Sequence, residues 1–443
     1  MREFSSGRHH VHISAAHADD VLIDDPVLPA AAHLTSAAAA DALGAAVESS
    51  GAELVASRPR HVQYRPGFDL IVRYDATIRR DGREHHDTLI AATTSAGPPP
   101  GTVPVEATTD AGDHLIVGVW RWPFDPVLTA LERAVTPGRA EGLLGDVVSG
   151  PVALEVVAYR PTERAVVRTT DAMGRVRYVK LTAPDTTAAL VDRHVRLGAA
   201  GVPVPEVLAA DLELGWLAMT ELAGPTLRER LKAGAPPWPR PEGFADVIDR
   251  IRSVELTDAA PRRPRCLDAG GHARMLASVM PAERHRLDEL IGRFEPLAEQ
   301  ALARRGPTVH GDLHEGQLVV DDDTIIGVLD IDDVGPGDPV DDMATVIGHL
   351  RYRAGTAVDG TGPAIDGYAD ALWRGFADRT DPVELDTVTA AVLVGLATGP
   401  FRIQQHDWAT VVRGRLDVAE RLLDTAGVVP IGAGGRGGTP ERR

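Results

Sequence analysis

Two kinds of hydrophobic pattern divide the chain. Between residues 62 and 93, and again between 159 and 181, apolar and polar residues alternate in short runs separated by turns. This period of two is typical of β-strands that bury one face. From residue 225 onward, apolar residues recur at three- and four-residue spacing, which predicts amphipathic helices. The pattern therefore predicts an α+β protein, β-rich in its N-terminal part and mainly helical in its C-terminal part.

The helical pattern begins at capping residues or prolines in several places and is ended by glycine or proline. The expected helices span residues 36–51, 186–200, 225–232, 243–254, 281–305, 343–354, 364–377, 382–396 and 409–426.

The β-rich part contains two similar hairpins. Tyr64-Arg65-Pro66 recurs 95 residues later as Tyr159-Arg160-Pro161, and each run precedes a Val-Arg pair and a glycine-containing turn. We interpret this as an internal duplication of a small β unit, with chance similarity of two hairpins as the alternative. The returning strand carries Lys180 in the second copy, whereas the first reads Leu89-Ile90-Ala91. The first copy is therefore expected to be a non-catalytic cap or brace.

Lysine is scarce, since only Lys180 and Lys232 stand among the 46 basic residues. A lysine that persists within a strand calls for a chemical reason, because arginine cannot replace a compact ammonium group in a tight site. Phosphate binding is one such reason. The alternative is a lysine that protects the edge of a sheet from aggregation.

The strongest chemical pattern lies within residues 308–344. Its centre is the run from His310 to His314 (HGDLH), with Gln317 five residues after Asp312 and Asp330 thirteen residues after Gln317. Phosphoryl transfer to a hydroxyl needs one carboxylate that receives the proton and oxygen ligands that hold Mg²⁺ against the phosphates. Amide and carboxylate oxygens are hard ligands suited to that ion. Alternatively, each aspartate merely caps or turns the chain.

The residues around these side chains predict a β-hairpin. Residues 317–320 and 324–329 are apolar runs separated by Asp321-Asp322-Asp323. Asp312 would lie in the loop that enters the hairpin, and Asp330 would follow its second strand. The hairpin would therefore bring two carboxylates that are distant in sequence into one cleft.

This pattern, continued by Gly337-Asp338-Pro339 and Asp342, resembles that of the aminoglycoside phosphotransferase and choline kinase superfamily of small-molecule kinases. The resemblance covers residues 150–425, and HGDLH-x-GQ is similar to the maltokinase and glucosamine kinase branch. It implies a bilobal protein-kinase-like fold with an extra N-terminal cap domain. The implied division is a cap with a degenerate β unit (1–149), an N-lobe with hinge (150–224), a helical C-lobe with the catalytic loop (225–427) and a disordered tail (428–443).

The same resemblance implies a role for individual residues. Asp312 would be the catalytic base, and Gln317 and Asp330 would bind Mg²⁺. The other implied residues bind ATP or support the catalytic loop: Lys180, Thr220, Glu221 and Leu222 for the nucleotide, and His310, His314 and Asp338 for the loop.

The amino-acid composition limits the kinds of binding partner that we expect. The 443 residues carry a net charge of −18, with 64 acidic against 46 basic residues, which argues against a nucleic-acid partner. The sequence contains neither a long apolar run nor an apolar N-terminal signal, so we expect no membrane partner and a cytoplasmic protein. A single cysteine, Cys266, excludes an internal disulfide. The expected partner is a small-molecule acceptor, and the sequence gives no indication of the oligomeric state.

The leading hypothesis is an ATP- and Mg²⁺-dependent phosphotransferase that acts on a hydroxyl of a small polar metabolite, with a sugar or amino sugar favoured. The alternative is a catalytically weak pseudokinase or a nucleotide-binding regulatory module. It is motivated by Gln317, which stands where most relatives have asparagine, and by the lack of a well-placed glutamate to pair with Lys180, where Asp192 is the nearest carboxylate. A protein kinase is a distant third hypothesis, because the chain has no Gly-rich loop before Lys180.

Overall fold

The computed structural model describes residues 9–13, 23–109, 114–256, 258–303 and 306–428. The expected disordered tail, 428–443, lies outside the described residues except for its first one. The described chain folds into two compact units. The first comprises the described residues within Met1–Val191, Glu206–Glu221 and Pro400–Trp408, and the second comprises the described residues within Asp192–Pro205, Leu222–Gly399 and Ala409–Arg443.

The first unit begins with a six-stranded sheet of order β1-β5-β6-β4-β3-β2. Its strands are β1 His9–Ile13, β2 Glu53–Arg65, β3 Asp69–Arg80, β4 Arg83–Thr94, β5 Val103–Thr109 and β6 His114–Arg121, and helices α1 Ala31–Leu34 and α2 Ala39–Glu48 precede β2. All neighbouring strands are antiparallel except β1 and β5, which are parallel. The expected β3–β4 turn is present, with positive φ at Asp81 and Gly82, as a two-residue hairpin turn requires.

The same unit contains a five-stranded antiparallel sheet of order β10-β11-β9-β8-β7. The sheet and the helices around it are α3 Leu131–Ala134, α4 Arg139–Leu144, β7 Ala153–Arg160, β8 Arg164–Thr170, β9 Val176–Thr182, α5 Pro184–Ala199, β10 Val207–Asp211 and β11 Trp216–Thr220, and the half of α5 from Asp192 onward belongs to the second unit. The order β5-β6-β4-β3-β2 of the first sheet matches this order strand for strand.

One buried contact occurs in both sheets. Asp25 accepts a hydrogen bond from the Tyr64 hydroxyl at 2.9 Å, and Asp125 accepts one from the Tyr159 hydroxyl at 2.9 Å. Each aspartate also accepts from the backbone N–H three residues beyond its tyrosine, at 2.7 and 3.0 Å, and caps the turn that follows the aspartate itself. Buried carboxylates need such donors, because an unpaired buried charge is costly. The two sheets thus share a contact as well as a strand order.

The second unit is mainly helical. Its elements are α6 Leu227–Lys232, α7 Pro241–Arg252, α8 Arg265–Val279, α9 Arg284–Ala303, β12 Thr308–Val309, β13 Leu318–Asp321, β14 Thr324–Val328, β15 Gly335–Pro336, α10 Pro339–Thr356, α11 Gly362–Ala377, α12 Pro382–Ala397, α13 Gly399–Arg402 and α14 Trp408–Thr425, of which most of α13 belongs to the first unit. Helix α10 packs against α11 and α12, and α8 packs against α9 and α12. The α+β class is confirmed, with a β-rich N-terminal region and a helical C-terminal region.

Local sequence explains where several helices begin. Thr226 and Glu229 form a capping box at the start of α6. Asp338 and Asp381 cap α10 and α12, and a proline follows each of them at the first helical position. These ends agree with the sequence pattern to within a few residues.

Three elements differ from the sequence prediction. Residues 62–74, which the sequence predicts as one run before a hairpin turn at 79–82, belong to two strands, because the chain turns at Pro66–Phe68 with positive φ at Gly67. The helix expected at 36–51 begins at Ala39. Helix α8 was not predicted, because Gly270 and Gly271 lower its helix propensity and its apolar residues do not form a clear stripe.

One stretch of the described chain, Pro382–Arg402, is long and apolar enough to cross a membrane by length and composition, with a mean hydropathy of 1.2. Of its most apolar window, 61% is buried inside the protein, and the core helix of a water-soluble domain has the same character.

Candidate active site

The loop that carries Asp312 is held by a buried carboxylate. Asp342, on the first turn of α10, accepts hydrogen bonds from the N–H groups of His310 at 2.7 Å and Gly311 at 2.9 Å. The loop is also held through the His310 ring, whose Nε2 lies 3.0 Å from the carbonyl oxygen of Leu329 at the end of the hairpin. Gly311 has φ +83°, and a Cβ there would lie 2.7 Å from a backbone oxygen, so glycine is required.

Asp312 is paired with an arginine that the sequence did not indicate. Arg265, the first residue of α8, donates from Nη2 to Oδ1 of Asp312 at 3.0 Å and also to the carbonyl oxygen of Gly311. Its Nε donates to the hydroxyl of Thr345 at 3.2 Å. Burial raises the pKa of Asp312, but Arg265 and His314 outweigh burial and lower it to about 2. The carboxylate is therefore charged at neutral pH, and Oδ2 is the oxygen that Arg265 leaves available.

The hairpin forms as expected and places two further polar residues together. Gln317 immediately precedes β13, and Asp330 follows β14 by two residues. Nε2 of Gln317 donates to Oδ2 of Asp330 at 3.2 Å. Asp330 has φ +53°, a conformation that aspartate tolerates better than most residues. The hairpin thus places the Gln317 amide next to the Asp330 carboxylate.

His314 lies next to both Asp312 and Gln317. Its Nε2 is 3.8 Å from Oδ2 of Asp312 and 3.3 Å from Nε2 of Gln317. Its Nδ1 accepts a hydrogen bond from the Gly316 N–H at 2.9 Å, and its ring stacks on His349 with centroids 4.3 Å apart. Burial lowers the pKa of His314, and burial followed by the neighbouring His314 lowers the pKa of His349 to about 3. Both imidazoles are therefore neutral at pH 7.

Two sets of side chains have the ligand chemistry for a cation. Asp312, His314 and His349 each place one ligand atom within 4.8 Å of the others. The two rings are stacked at an interplanar angle of 15°, however, so their in-plane lone pairs lie in parallel planes and do not converge on one ion. The Gln317 amide and the Asp330 carboxylate offer oxygen atoms and fit Mg²⁺ better.

Glu315 links the loop to two arginines. Its side chain is 1% exposed, and its Oε1 accepts from Nε of Arg228 at 3.0 Å and from Nη2 of Arg353 at 2.8 Å. Oε2 lies 3.6 Å from Nδ1 of His349. Burial raises the pKa of Glu315, but His349 and Arg228 outweigh it and lower the pKa to about 2. The Glu315 carboxylate thus holds the guanidinium groups of Arg228 and Arg353 in place.

Asp338, which was expected to support the loop, caps α10 by accepting a hydrogen bond from the Val340 N–H at 3.3 Å. The amides of the loop itself donate to Asp342. Asp342, Arg265 and Glu315 are thus the polar residues around Asp312 that sequence reasoning missed. Asp342 lies in the motif that the sequence showed. No sequence pattern indicates Arg265, because 47 residues separate it from Asp312.

The residues predicted to bind the nucleotide lie in the first unit, apart from Leu222. Lys180 is 5% exposed on β9, which lies between β8 and β11 and is not an edge strand. Protection of a sheet edge therefore does not explain this lysine. Thr220 ends β11, and its N–H donates to the carbonyl oxygen of Glu206 at 2.9 Å. Glu221 follows it, with Oε1 3.9 Å from Nη2 of Arg168.

Comparison with known proteins identifies the family. Residues 162–382 match the model of the phosphotransferase enzyme family (APH). No curated protein sequence matches the chain.

Several solved structures are similar to this chain. One is a thermostable mutant of aminoglycoside phosphotransferase APH(4)-Ia in a ternary complex with ADP and hygromycin B, with 18% identity over 61% of this chain and 94% of that one and a TM-score of 0.45. Another is aminoglycoside phosphotransferase APH(3'')-Id from Streptomyces rimosus ATCC10970 in complex with ADP and streptomycin. It has 23% identity over 56% of this chain and 97% of that one, with a TM-score of 0.37.

The assignment rests on the family match and on the HGDLH pattern that it contains. The chain belongs to the phosphotransferase enzyme family, within the aminoglycoside phosphotransferase and choline kinase superfamily of small-molecule kinases.

Proposed function

We propose that this protein transfers the γ-phosphate of ATP to a hydroxyl of a small polar metabolite, with a sugar or amino sugar as the favoured acceptor, in a reaction that requires Mg²⁺. The observation that carries the proposal is the amide–carboxylate pair of Gln317 and Asp330 beside the loop of Asp312. Phosphoryl transfer needs a metal-binding pair and a proton-accepting carboxylate in this relation.

Asp312 would receive the acceptor's proton on Oδ2, because Oδ1 is bound by Arg265. With a pKa of about 2, its carboxylate is a weak base at neutral pH. Such a base is adequate where catalysis comes mostly from positioning and from charge stabilisation, as in phosphoryl transfer. Arg265 would accordingly orient the base more than it would tune its strength.

Gln317 and Asp330 would hold Mg²⁺, which supplies positive charge against the transferring phosphoryl group when it is bound. The Gln317 amide donates its N–H to Asp330, so its carbonyl oxygen is the atom of this side chain suited to the ion. This hydrogen bond fixes the orientation of the amide. A glutamine can therefore serve at the position where the kinase pattern has asparagine.

Lys180 would hold the α- and β-phosphates of ATP, and the backbone around Thr220, Glu221 and Leu222 would bind the adenine. The Thr220 N–H already donates within the first unit, so the polar backbone groups of Glu221 and Leu222 are the better candidates for adenine. Similar structures contain ADP, including that of APH(3'')-Id. The division into a cap, an N-lobe and a C-lobe, the duplication and a cytoplasmic location stay predictions.

The direct test is Mg²⁺-dependent ATP consumption with sugars, amino sugars, aminoglycosides, choline and homoserine as acceptors. We expect turnover with one acceptor class in the wild type and its loss in Asp312→Asn, which still binds ATP. Asp322→Asn, on the turn between β13 and β14, is the matched control and should keep full activity. ATP binding without turnover on a broad panel would favour the regulatory alternative, and a chain that does not bind ATP would refute the kinase assignment.

Gln317→Asn tests the metal assignment separately. Asparagine keeps the amide oxygen on a side chain shorter by one methylene, so we expect Mg²⁺-dependent activity to persist with a raised Mg²⁺ requirement. Complete loss of activity with unchanged ATP binding would show that the amide does more than bind metal.

A further inference from the structure

A group of cationic side chains lies on one face of the first sheet. The Tyr74 hydroxyl donates to the carbonyl oxygen of Leu34 in α1, so Tyr74 faces the helices and its neighbour Arg73 points to the opposite face. His61 on β2 is the cross-strand partner of Arg73 on β3. Gln63, two residues beyond His61, lies on the same face.

Two other segments of the first unit complete this group. Arg73 donates from Nη1 to the carbonyl oxygen of Tyr159 at 3.3 Å, which brings the end of β7, where Arg160 follows, against Arg73. The charge of Arg402 acts on the same imidazole, since burial and then Arg402 lower the pKa of His61 to about 4, with smaller effects from Arg73 and Arg160. Burial, followed by the charge of Arg160, also lowers the pKa of Arg402. Three guanidinium groups from separate segments therefore act on His61.

The neighbouring carboxylates leave this group positive. Glu163 lies 3.9 Å from Nη1 of Arg160 and raises the pKa of Arg402. The other acidic residues on this face of β3 have partners of their own, since Asp69 is paired with Arg65 and Asp75 with Arg60. A concentration of positive charge in a chain of net charge −18 is a specific feature and not a consequence of composition.

Gln63 supplies an independent observation. Its side chain is 8% exposed, and neither Nε2 nor Oε1 has a hydrogen-bond partner among the described residues. Leaving a buried polar group unsatisfied is unfavourable, so such groups are usually completed by a ligand or ordered water. A buried amide on the same sheet face as Arg73 suits a ligand that has both charge and polar oxygen atoms.

We propose that Arg73, Arg160, Arg402 and Gln63 form a binding site for the phosphate group of a small phosphate monoester, built entirely from residues of the first unit. Arginine suits this role because its planar guanidinium donates two parallel hydrogen bonds to phosphate oxygens. The site is reachable from solvent, because the Arg160 side chain is 44% exposed. The inference does not depend on ATP hydrolysis or on the acceptor of the catalytic reaction.

The test is isothermal titration calorimetry of the full chain at fixed ionic strength, with inorganic phosphate and then glucose 6-phosphate as probes. We would compare the wild type with Arg402→Gln and Arg160→Gln, and with Arg83→Gln as a charge-matched control. Arg83 is exposed on the turn between β3 and β4. If Arg402→Gln fails to fold, as judged by circular dichroism, the exposed Arg160→Gln keeps the experiment informative.

We expect both probes to bind the wild type and Arg83→Gln equally. The affinity should fall at least tenfold in the other two variants, which corresponds to about 1.4 kcal/mol. Absence of wild-type binding up to about 10 mM phosphate would overturn the proposal. Equal affinity in all four proteins would also overturn it, because a phosphate bound only by the catalytic residues does not respond to these substitutions.

Discussion

Replacing Arg265 with alanine removes the group that orients the candidate base. In the folded chain this side chain binds Oδ1 of Asp312 at 3.0 Å and the neighbouring carbonyl of Gly311. A charge-assisted hydrogen bond of this kind contributes about 1.5–3 kcal/mol, and misplacing a reacting group by about 1 Å costs up to about a hundredfold in rate. We therefore expect kcat to fall by about 10- to 100-fold in Arg265→Ala, with little change in the KM for ATP.

The pH profile separates orientation from a general structural effect. Asp312 acts when it is ionised, so activity is lost as the pH falls through its pKa, which is about 2 with Arg265 present. Burial alone raises this pKa, and the acid limb of kcat should therefore move to higher pH in Arg265→Ala. Arg265→Lys keeps the charge but not the planar fork, so it should restore the acid limb more fully than kcat.

The control is Arg263→Ala, two residues earlier, whose side chain is 63% exposed and pairs with Asp268 at 3.0 Å. The measurements are steady-state kinetics between pH 4 and 9 with the acceptor that the panel identifies, together with a thermal melt of each variant. The wild-type acid limb lies below this pH range. Wild-type kcat and no acid limb above pH 4 in a folded Arg265→Ala variant would therefore refute the role of Arg265.

Three further predictions concern the same chain. Asp342→Ala leaves two buried loop N–H groups without their acceptor and should lower the free energy of unfolding in urea by about 2–4 kcal/mol; a loss within error of zero would contradict it. Glu315→Gln should lower the free energy of unfolding at pH 7 by about 2–3 kcal/mol. This value is reduced for solvent screening, because Arg228 is 43% exposed. The lowered pKa of Glu315 contributes stability that is lost as the pH falls from 4.5 to about 2, so this acid-dependent loss should be smaller in the variant. Lys180→Met should weaken ATP binding at least tenfold in a fluorescence titration without unfolding β9; unchanged affinity would remove Lys180 from the nucleotide site.

The parts of the candidate site that the sequence predicted are those encoded locally. The hairpin of β13 and β14 follows from two short apolar runs around a polar turn, and Gln317 and Asp330 lie at its ends for that reason. The helix starts at Thr226 and Asp381 follow from residues that satisfy free N–H groups within one turn. Such features depend on neighbours a few residues away, which a pattern can show.

The parts that the sequence did not predict depend on distant contacts. Arg265 reaches Asp312 only because α8 delivers it there, and α8 was not recognised because of its paired glycines. Glu315 lies within the motif, yet its role arises from Arg228 and Arg353, which are 87 and 38 residues away. No spacing rule connects these residues, since their proximity is a result of helix packing.

The two sheets of the first unit carry a further argument about Lys180. This lysine pairs with Val166 on β8 and with Leu217 on β11. In the first sheet, Ala92 on β4 occupies the position that corresponds to Lys180, since it pairs with β3 on one side and with β6 on the other. Ala92 is fully buried in an apolar cluster with Trp120, whereas Lys180 is almost as buried but carries an ammonium group. Lys180, the candidate phosphate ligand, therefore has no charged counterpart at the equivalent position of the first sheet, which is what a cap that does not bind nucleotide would show.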